Sequence, residues 1–371
     1  MIKKINTQKL HYDYIEKSLI IAEKHPDEPL WILNYSPQVQ ALGLWDDLTR
    51  QCRGLVIDSE GNVVARSQPK FYNISNLPIE KIHKNGVCEV FEKIDGTLGV
   101  FFYYNGRWIL ASRGSFTSEA AEKGMEILNE KYGDFKKHLD VNFTYLFEIV
   151  YPENTIVIDY GDVNDCFMFA AINNHNGSEM HYDTRTTQHP TFKHIPRISR
   201  YAYYGMENLL TYLRSYKKSE CDDKEGVVVE LNDGIRVKIK YPEYIKKHWM
   251  ETDITNHDIW LLLRNGGNYG DLLKDTPDEF YGWFVKTIKQ FRNDFLEIEC
   301  VAHKKFYNLV FGNGIFGEEF SEYAEKSPKY KEILQKLYNR EDYTKTIWDM
   351  IEPEKQENPF KSKVLNEKNV W

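Results

Sequence analysis

The sequence predicts a mixed α+β protein in two parts, an antiparallel-sheet domain over residues 1–242 and an all-helical domain over residues 243–371. Three observations predict it. From about residue 50 to residue 240, short β-rich runs alternate with tight-turn residues. After Pro242 the apolar period lengthens from two to between three and four. The length of 371 residues also exceeds what one hydrophobic core ordinarily serves.

In chain order, runs 52–58 and 62–66 flank a Ser-Glu-Gly turn. Runs 98–104 and 107–112 are joined by Asn105-Gly106, a pair suited to the positive φ angles of a type I′ hairpin. Runs 145–151, 155–160 and 166–172 read as further strands, and 226–231 and 235–240 surround the hairpin signal Asn232-Asp233-Gly234. One helix is expected to start with Ser118 as its cap and to turn Ala121, Met125 and Leu128 inward; a second is expected over 206–216. In the C-terminal part, Phe284, Ile288, Phe291, Phe295, Ile298, Ala302 and Phe306 form one apolar stripe of a long helix. Shorter helices are expected over 330–338 and 343–351, and little regular structure over the last residues from Gln356.

Hydrophobic residues make up 42% and charged residues 28%, an ordinary globular composition. The net charge of −8 argues against a surface that is basic throughout, so any grip on a phosphate chain must come from a local groove. Aromatics reach 14%, enough for cores and for stacking on bases. Cys52, Cys88, Cys166, Cys221 and Cys300 are odd in number and have no metal-type spacing, which fits a reduced, cytoplasmic setting. No run of eighteen or more apolar residues suggests a membrane span. His175, His181, His189 and His194 crowd one stretch without zinc-site spacing, and surface or structural roles are expected for them.

The segment VFEKIDGTLGVFF puts Lys93 between a strand ending at Glu92 and the turn Ile94-Asp95-Gly96. A lysine there projects from rigid backbone, although K-x-D-G alone is equally an ordinary solvated turn. Its companions decide the matter. Cys52-Arg53-Gly54, Lys70-Phe71-Tyr72-Asn73 and Ser112-Arg113-Gly114-Ser115 come first in chain order. Phe147-Glu148-Ile149, Ile158-Asp159-Tyr160-Gly161, Lys224-Glu225-Gly226-Val227-Val228 and Val237-Lys238-Ile239-Lys240 follow. Lys238 and Lys240 alternate with Val237 and Ile239, so one strand face carries two ammonium groups while the other packs inward. Such cations and partial burial favour the free-base form in which a neighbouring lysine attacks, and they hold a phosphate as charge grows on it. Glu148 lies in the apolar strand LFEIV, where a carboxylate is either paired or part of a site. Tyr160 offers a ring face for a base or for the core.

In this order the motifs resemble the covalent nucleotidyltransferase superfamily of ATP-dependent ligases and mRNA-capping enzymes. C-R-G, K-F-Y-N and S-R-G-S resemble, more narrowly, the bacteriophage RNA ligase family of the tRNA-repairing type. The resemblance covers roughly residues 50–240. It implies a ligase-type nucleotidyltransferase (adenylation) domain in which Lys93 accepts AMP from ATP, with Lys238, Lys240 and Glu225 in the catalytic set. It places Arg53 and Lys70 at the pyrophosphate end of ATP, and Phe71, Asp95, Gly96, Arg113, Glu148 and Tyr160 around the nucleotide. Glu225 is implied as the ligand of a divalent ion, Mg2+ or Mn2+, and Glu148 as a ribose or metal contact. Two departures stand out: Arg113 replaces the family's frequent lysine, leaving open whether it meets AMP or the polynucleotide, and Ile94 replaces a frequent glutamate. The implied substrate is RNA with 5′-phosphate and 3′-hydroxyl ends, such as nicked tRNA in an infected bacterial cytoplasm, with a separate kinase-phosphatase healing the ends.

A DNA ligase or a capping guanylyltransferase would share the core motifs but calls for a β-rich domain after Lys240. An RNA-binding protein on a ligase scaffold would have no use for the full set of lysines and carboxylates. For the C-terminal part, Lys286, Lys289, Arg292, Lys304 and Lys305 are candidate contacts to a structured RNA.

Overall fold

A computed structural model describes residues 1–74, 87–180, 198, 200–204, 208–209, 211, 223–231, 234–251, 254–267, 272 and 280–358. The chain divides into two compact units, one built on Met1–Trp249 and the other on Met250–Lys363.

The first unit contains three sheets. One is formed by β1 (Ile20–Lys24), β2 (Leu30–Tyr35), β3 (Arg53–Asp58) and β4 (Val63–Ala65), hydrogen-bonded in that order. The remaining strands are β5 (Tyr72–Asn73), β6 (Val87–Lys93), β7 (Thr97–Tyr104), β8 (Arg107–Ala111), β9 (Phe143–Val150), β10 (Asp165–Asn173), β11 (Glu179–Met180), β12 (Arg200–Tyr204), β13 (Gly226–Leu231) and β14 (Arg236–Lys240). The second sheet has the order β11-β10-β9-β7-β8 and the third β12-β6-β13-β14-β5. All described pairs are antiparallel except β14 with β5.

Alternation along the strands sorts the cores. In β7, Val100 and Phe102 join Leu30, Ile32 and Val56 of the first sheet, whereas Phe101 faces Ile127 and Leu128 of the helix Glu119–Tyr132. The third sheet buries Val90, Val227, Val229, Val237 and Ile239 on its outer face. The β7–β8 turn is as its residues require: Asn105 has φ 48° and Gly106 φ 83°. The Ser118 hydroxyl caps the helix by accepting from Ala121 N at 3.3 Å.

Residues 155–160 are not the strand their β-branched composition suggests. The amides of Val157 and Ile158 both donate to one carboxylate oxygen of Asp95, at 2.9 Å each, instead of to a neighbouring strand. The sheet formed by β1–β4 also begins thirty residues before the expected β-rich stretch, with β1 and β2. Most of the helix expected over 206–216 lies outside the described residues, as do Asn232, Asp233 and three of the four clustered histidines, His181, His189 and His194. His175 is exposed, with Nε2 3.3 Å from Lys3 Nζ.

Among the described residues of the second unit the regular elements are all helices. The apolar stripe forms the helix Tyr281–Tyr307, which buries Phe284, Ile288, Phe291, Ile298 and Ala302. The helices Lys331–Asn339 and Thr344–Met350 bring Ile333 and Ile347 onto its Ile298 and Ala302. Asn256–Arg264 starts from a reciprocal cap between Thr255 and Asp258, and the indole of Trp260 donates to the Trp348 carbonyl at 2.8 Å.

Candidate active site

The inner face of the third sheet carries three rows of side chains. The ladder pairs Lys93 with Gly226 and Gly226 with Lys240, Phe91 with Val228 and Val228 with Lys238, and Glu89 with Glu230 and Glu230 with Arg236. Residues directly opposite in an antiparallel ladder share a face, so the nucleophile candidate and both final lysines project from the same side. Gly226 lies between them because a side chain cannot: a Cβ there would meet the Ile239 carbonyl oxygen at 2.2 Å and Lys240 Cα at 2.7 Å.

Glu225, only 2% exposed, joins the two lysines of the first row. Its Oε2 accepts from Lys93 Nζ at 2.6 Å, and its Oε1 lies 3.6 Å from Lys240 Nζ. Across from this sheet, Glu148 projects from β9. Burial pushes its carboxyl up to about 7, the adjacent Lys93 ammonium pulls it down, and the Glu225 carboxylate pushes it up again. Burial and the neighbouring carboxylates outweigh the positive charge that Lys93 and Arg53 bring to it. Glu148 and Glu225 thus fit a hard divalent cation, which takes oxygen donors and commonly leaves further positions to phosphate and water. Mg2+ or Mn2+ bound there would supply positive charge to phosphate oxygens.

A cavity of about 90 Å³ opens beside Lys93 and Glu148 and is also lined by Arg53, Phe71, Phe91 and Val228. Arg53 stands over the Phe71 ring, 5.7 Å from its centroid. Lys70 and Arg113 meet at a different place, around Tyr35, with their charged groups 5.4 and 5.7 Å from its ring centroid. Lys70 also stands 5.6 Å from the Trp45 ring and 3.3 Å from Gln40 Oε1. Neither is among the residues that line the cavity.

The residues that follow Lys93 hold the loop. Asp95 is 4% exposed and accepts on Oδ2 from Val157 N and Ile158 N and on Oδ1 from the Tyr244 hydroxyl at 2.8 Å. Its own amide donates to the Tyr160 hydroxyl at 2.9 Å. The expected nucleotide contacts of Asp95 and Tyr160 therefore become, in the free chain, contacts that fix the loop. Gly96 makes its close approach to protein, since a Cβ would meet the Ile149 carbonyl oxygen at 2.6 Å. The chain crosses from the third sheet to the second there, too near β9 for any side chain.

Tyr244 was not legible as a site residue. It is the third residue of the helix Pro242–Glu251, with the Lys240 ammonium 5.1 Å from its ring centroid. In the third row the half-buried Arg236 donates to Glu230 Oε2 at 2.9 Å from Nε and to Glu179 Oε2 at 2.7 Å from Nη1. The alternation Arg236-Val237-Lys238-Ile239-Lys240 carried the signal for Arg236, a third cation on the same strand face.

The RNA ligase family's model matches residues 51–244. A protein of Autographa californica nuclear polyhedrosis virus, named as a bifunctional polynucleotide kinase/RNA ligase, is 25% identical over 71% of this chain and 40% of its own length. A protein of Thermovibrio ammonificans named as an RNA ligase is 28% identical over 59% of each chain. The chain thus spans less than two thirds of the length of either relative. An archaeal ATP-dependent RNA ligase of known structure shares 14% identity, with a TM-score of 0.45 over 75% of this chain and 70% of the other.

Proposed function

The chain belongs to the RNA ligase family, and from that premise we propose that it seals RNA ends with ATP through a phosphoramidate on Lys93. The observation that carries this reading is the row Lys93–Gly226–Lys240 with Glu225 held between the two ammonium groups. In the first step the Lys93 amine attacks the α-phosphorus of ATP. An N–P bond forms, the bond from that phosphorus to the bridging β-oxygen breaks, and pyrophosphate leaves. The 5′-phosphate of RNA then displaces Lys93 from the AMP. Finally the 3′-hydroxyl of the other end attacks the activated phosphate and releases AMP.

The chain's own groups have separable tasks. Lys240 and Lys238 face the phosphate from the nucleophile's side and stabilise the charge that grows during transfer. Glu225 holds Lys93 in place before nucleotide arrives. Arg53 is placed to receive the phosphates of ATP at the cavity, and its planar fork of donors suits them. Lys70 and Arg113, gathered at Tyr35 instead, suit the leaving pyrophosphate or the incoming RNA end. Glu148 and Glu225 would hold the divalent ion.

The test is a mass spectrum of the purified chain after incubation with ATP and Mg2+ or Mn2+. An AMP adduct is expected, and Lys93→Ala should lose it while keeping the wild-type circular dichroism; an adduct on that variant removes Lys93 from its role. Labelling by GTP alone would instead assign capping. Joining of a 5′-phosphorylated single-stranded RNA, compared with the same sequence as DNA and as a nicked duplex, separates RNA sealing from DNA sealing. We extend the reading to cleaved tRNA, with end healing by a separate kinase-phosphatase. Lys286, Lys289, Arg292 and Lys304 support the extension by being exposed on the helix Tyr281–Tyr307. Lys305 is half-buried near Ser327 and Tyr330 and is withdrawn from that set.

A further inference from the structure

We propose that Gln68 and Glu179, held in place by Arg236, read the 6-amino group of the adenine of ATP. The inference rests on the ligase reading and adds to it the basis on which the nucleobase is chosen.

The three rows on the inner sheet face act as a ruler. Lys93 and Lys240 mark the phosphorus. In the next row Phe91 and Val228 offer apolar surface, and Phe169 of β10 also lines the cavity. A flat purine suits such a slot. The third row ends in Arg236, four residues from Lys240 along β14 and so about 13 Å away at the rise of a strand. An adenosine phosphate extended from Lys93 places its base over the middle row and the far edge of the base toward the third.

Arg236 meets Glu179 of β11 and Gln68 at the cavity. The guanidinium is committed: Nε and Nη2 donate to Glu230 Oε2 at 2.9 and 2.5 Å, and Nη1 donates to Glu179 Oε2 at 2.7 Å. Gln68 Nε2 in turn donates to Glu179 Oε1 and Oε2 at 3.1 and 3.3 Å. Three of the five Arg236 N–H groups and the Gln68 amide nitrogen are thus turned to the cluster's own carboxylates. Acceptor capacity remains beside them. The Gln68 amide oxygen accepts from no donor among the described residues, and a carboxylate has lone pairs beyond those Gln68 and Arg236 occupy.

A wall of acceptors selects by chemistry. Adenine presents an amine at its 6-position, a donor that such a wall can satisfy. Guanine presents a carbonyl there, which offers those acceptors no donor and loses the contact. Purine riboside triphosphate, with only hydrogen at the 6-position, isolates the contribution of the amine.

The experiment uses the full chain, first cleared of bound AMP with pyrophosphate and Mg2+. The rate of nucleotidyl adduct formation on Lys93 is followed by intact-protein mass spectrometry with ATP and, separately, with purine riboside triphosphate. Wild type is expected to favour ATP by about tenfold or more, the worth of a hydrogen bond to a charged acceptor. Gln68→Met and Glu179→Met should each bring that ratio close to one. If either variant fails to fold by circular dichroism, the other decides. Equal slowing with both nucleotides would make the cluster a clamp between sheets and overturn the assignment, as would an unchanged ratio in a folded variant. Absence of any adduct in wild type would instead remove the ligase reading on which the proposal stands.

Discussion

Replacing Glu148 by Gln is expected to make the nucleotide-free protein more stable at pH 8 and to leave it nearly as before at pH 4, while abolishing nucleotidyl transfer. Burial pushes the folded carboxyl from 4.5 up to about 7. Below pH 4.5 the proton is bound in both folded and unfolded chains, so the residue costs nothing. Between pH 4.5 and pH 7 the unfolded chain releases the proton and the folded chain keeps it, so stability falls as pH rises. Above pH 7 the loss is complete. At 1.36 kcal/mol per pH unit the full loss is about 3 kcal/mol, most of which falls between pH 5 and pH 8. Glutamine keeps the shape and cannot ionise. Urea unfolding of both proteins at pH 5 and pH 8, without nucleotide or divalent ion, measures the difference directly. The advantage of the variant should grow by about 2–3 kcal/mol over that interval. An advantage that is constant, or that shrinks at pH 8, would refute the account of Glu148 as a carboxyl short of positive charge.

Tyr244→Phe removes the hydroxyl that Asp95 Oδ1 accepts at 2.8 Å; a loss of about 1–3 kcal/mol in urea unfolding and slower Lys93 adenylylation are expected, and unchanged values of both would show the contact to be idle. Gly226→Ala forces a Cβ to 2.2 Å from the Ile239 carbonyl, so adduct formation should fall by orders of magnitude even where circular dichroism stays native. Reversing Lys286, Lys289 and Arg292 together to Glu should weaken sealing of a tRNA nicked in its anticodon loop. Self-adenylylation and joining of a short linear RNA should persist, and equal loss in all three assays would contradict an RNA-placing role.

Local signals carried those parts of the fold that chemistry dictates over a few residues. Asn105-Gly106 demands its hairpin, Ser118 caps its helix, and the stripe from Phe284 to Phe306 defines the long helix of the second unit. Where the reading missed, long-range partners had the last word. Residues 155–160 have strand composition, yet Asp95, sixty residues earlier, takes their amides. Within the site, Lys93, Glu225 and Lys240 do come together, because ladder register follows from alternation and turns. Lys70 and Arg113 gather at Tyr35 instead of lining the cavity, since what places them is a ring contributed by β2, which nothing near either residue announces. Tyr244 and Glu179 were hidden for the same reason: each acts through a partner far away in sequence.

The turn Ile94-Asp95-Gly96 is the route by which the chain passes from the third sheet into the second. Lys93 therefore travels with one sheet and Glu148 with the other, and the separation between them measures how far the sheets stand apart. The tether that spans this gap is pinned at Asp95 by three donors and at Gly96 by the β9 backbone. Slack is thus denied to the one segment where slack would uncouple Lys93 from Glu148. A pair of spectroscopic labels, one on each sheet away from the cavity, would report nucleotide entry as a change in a single distance.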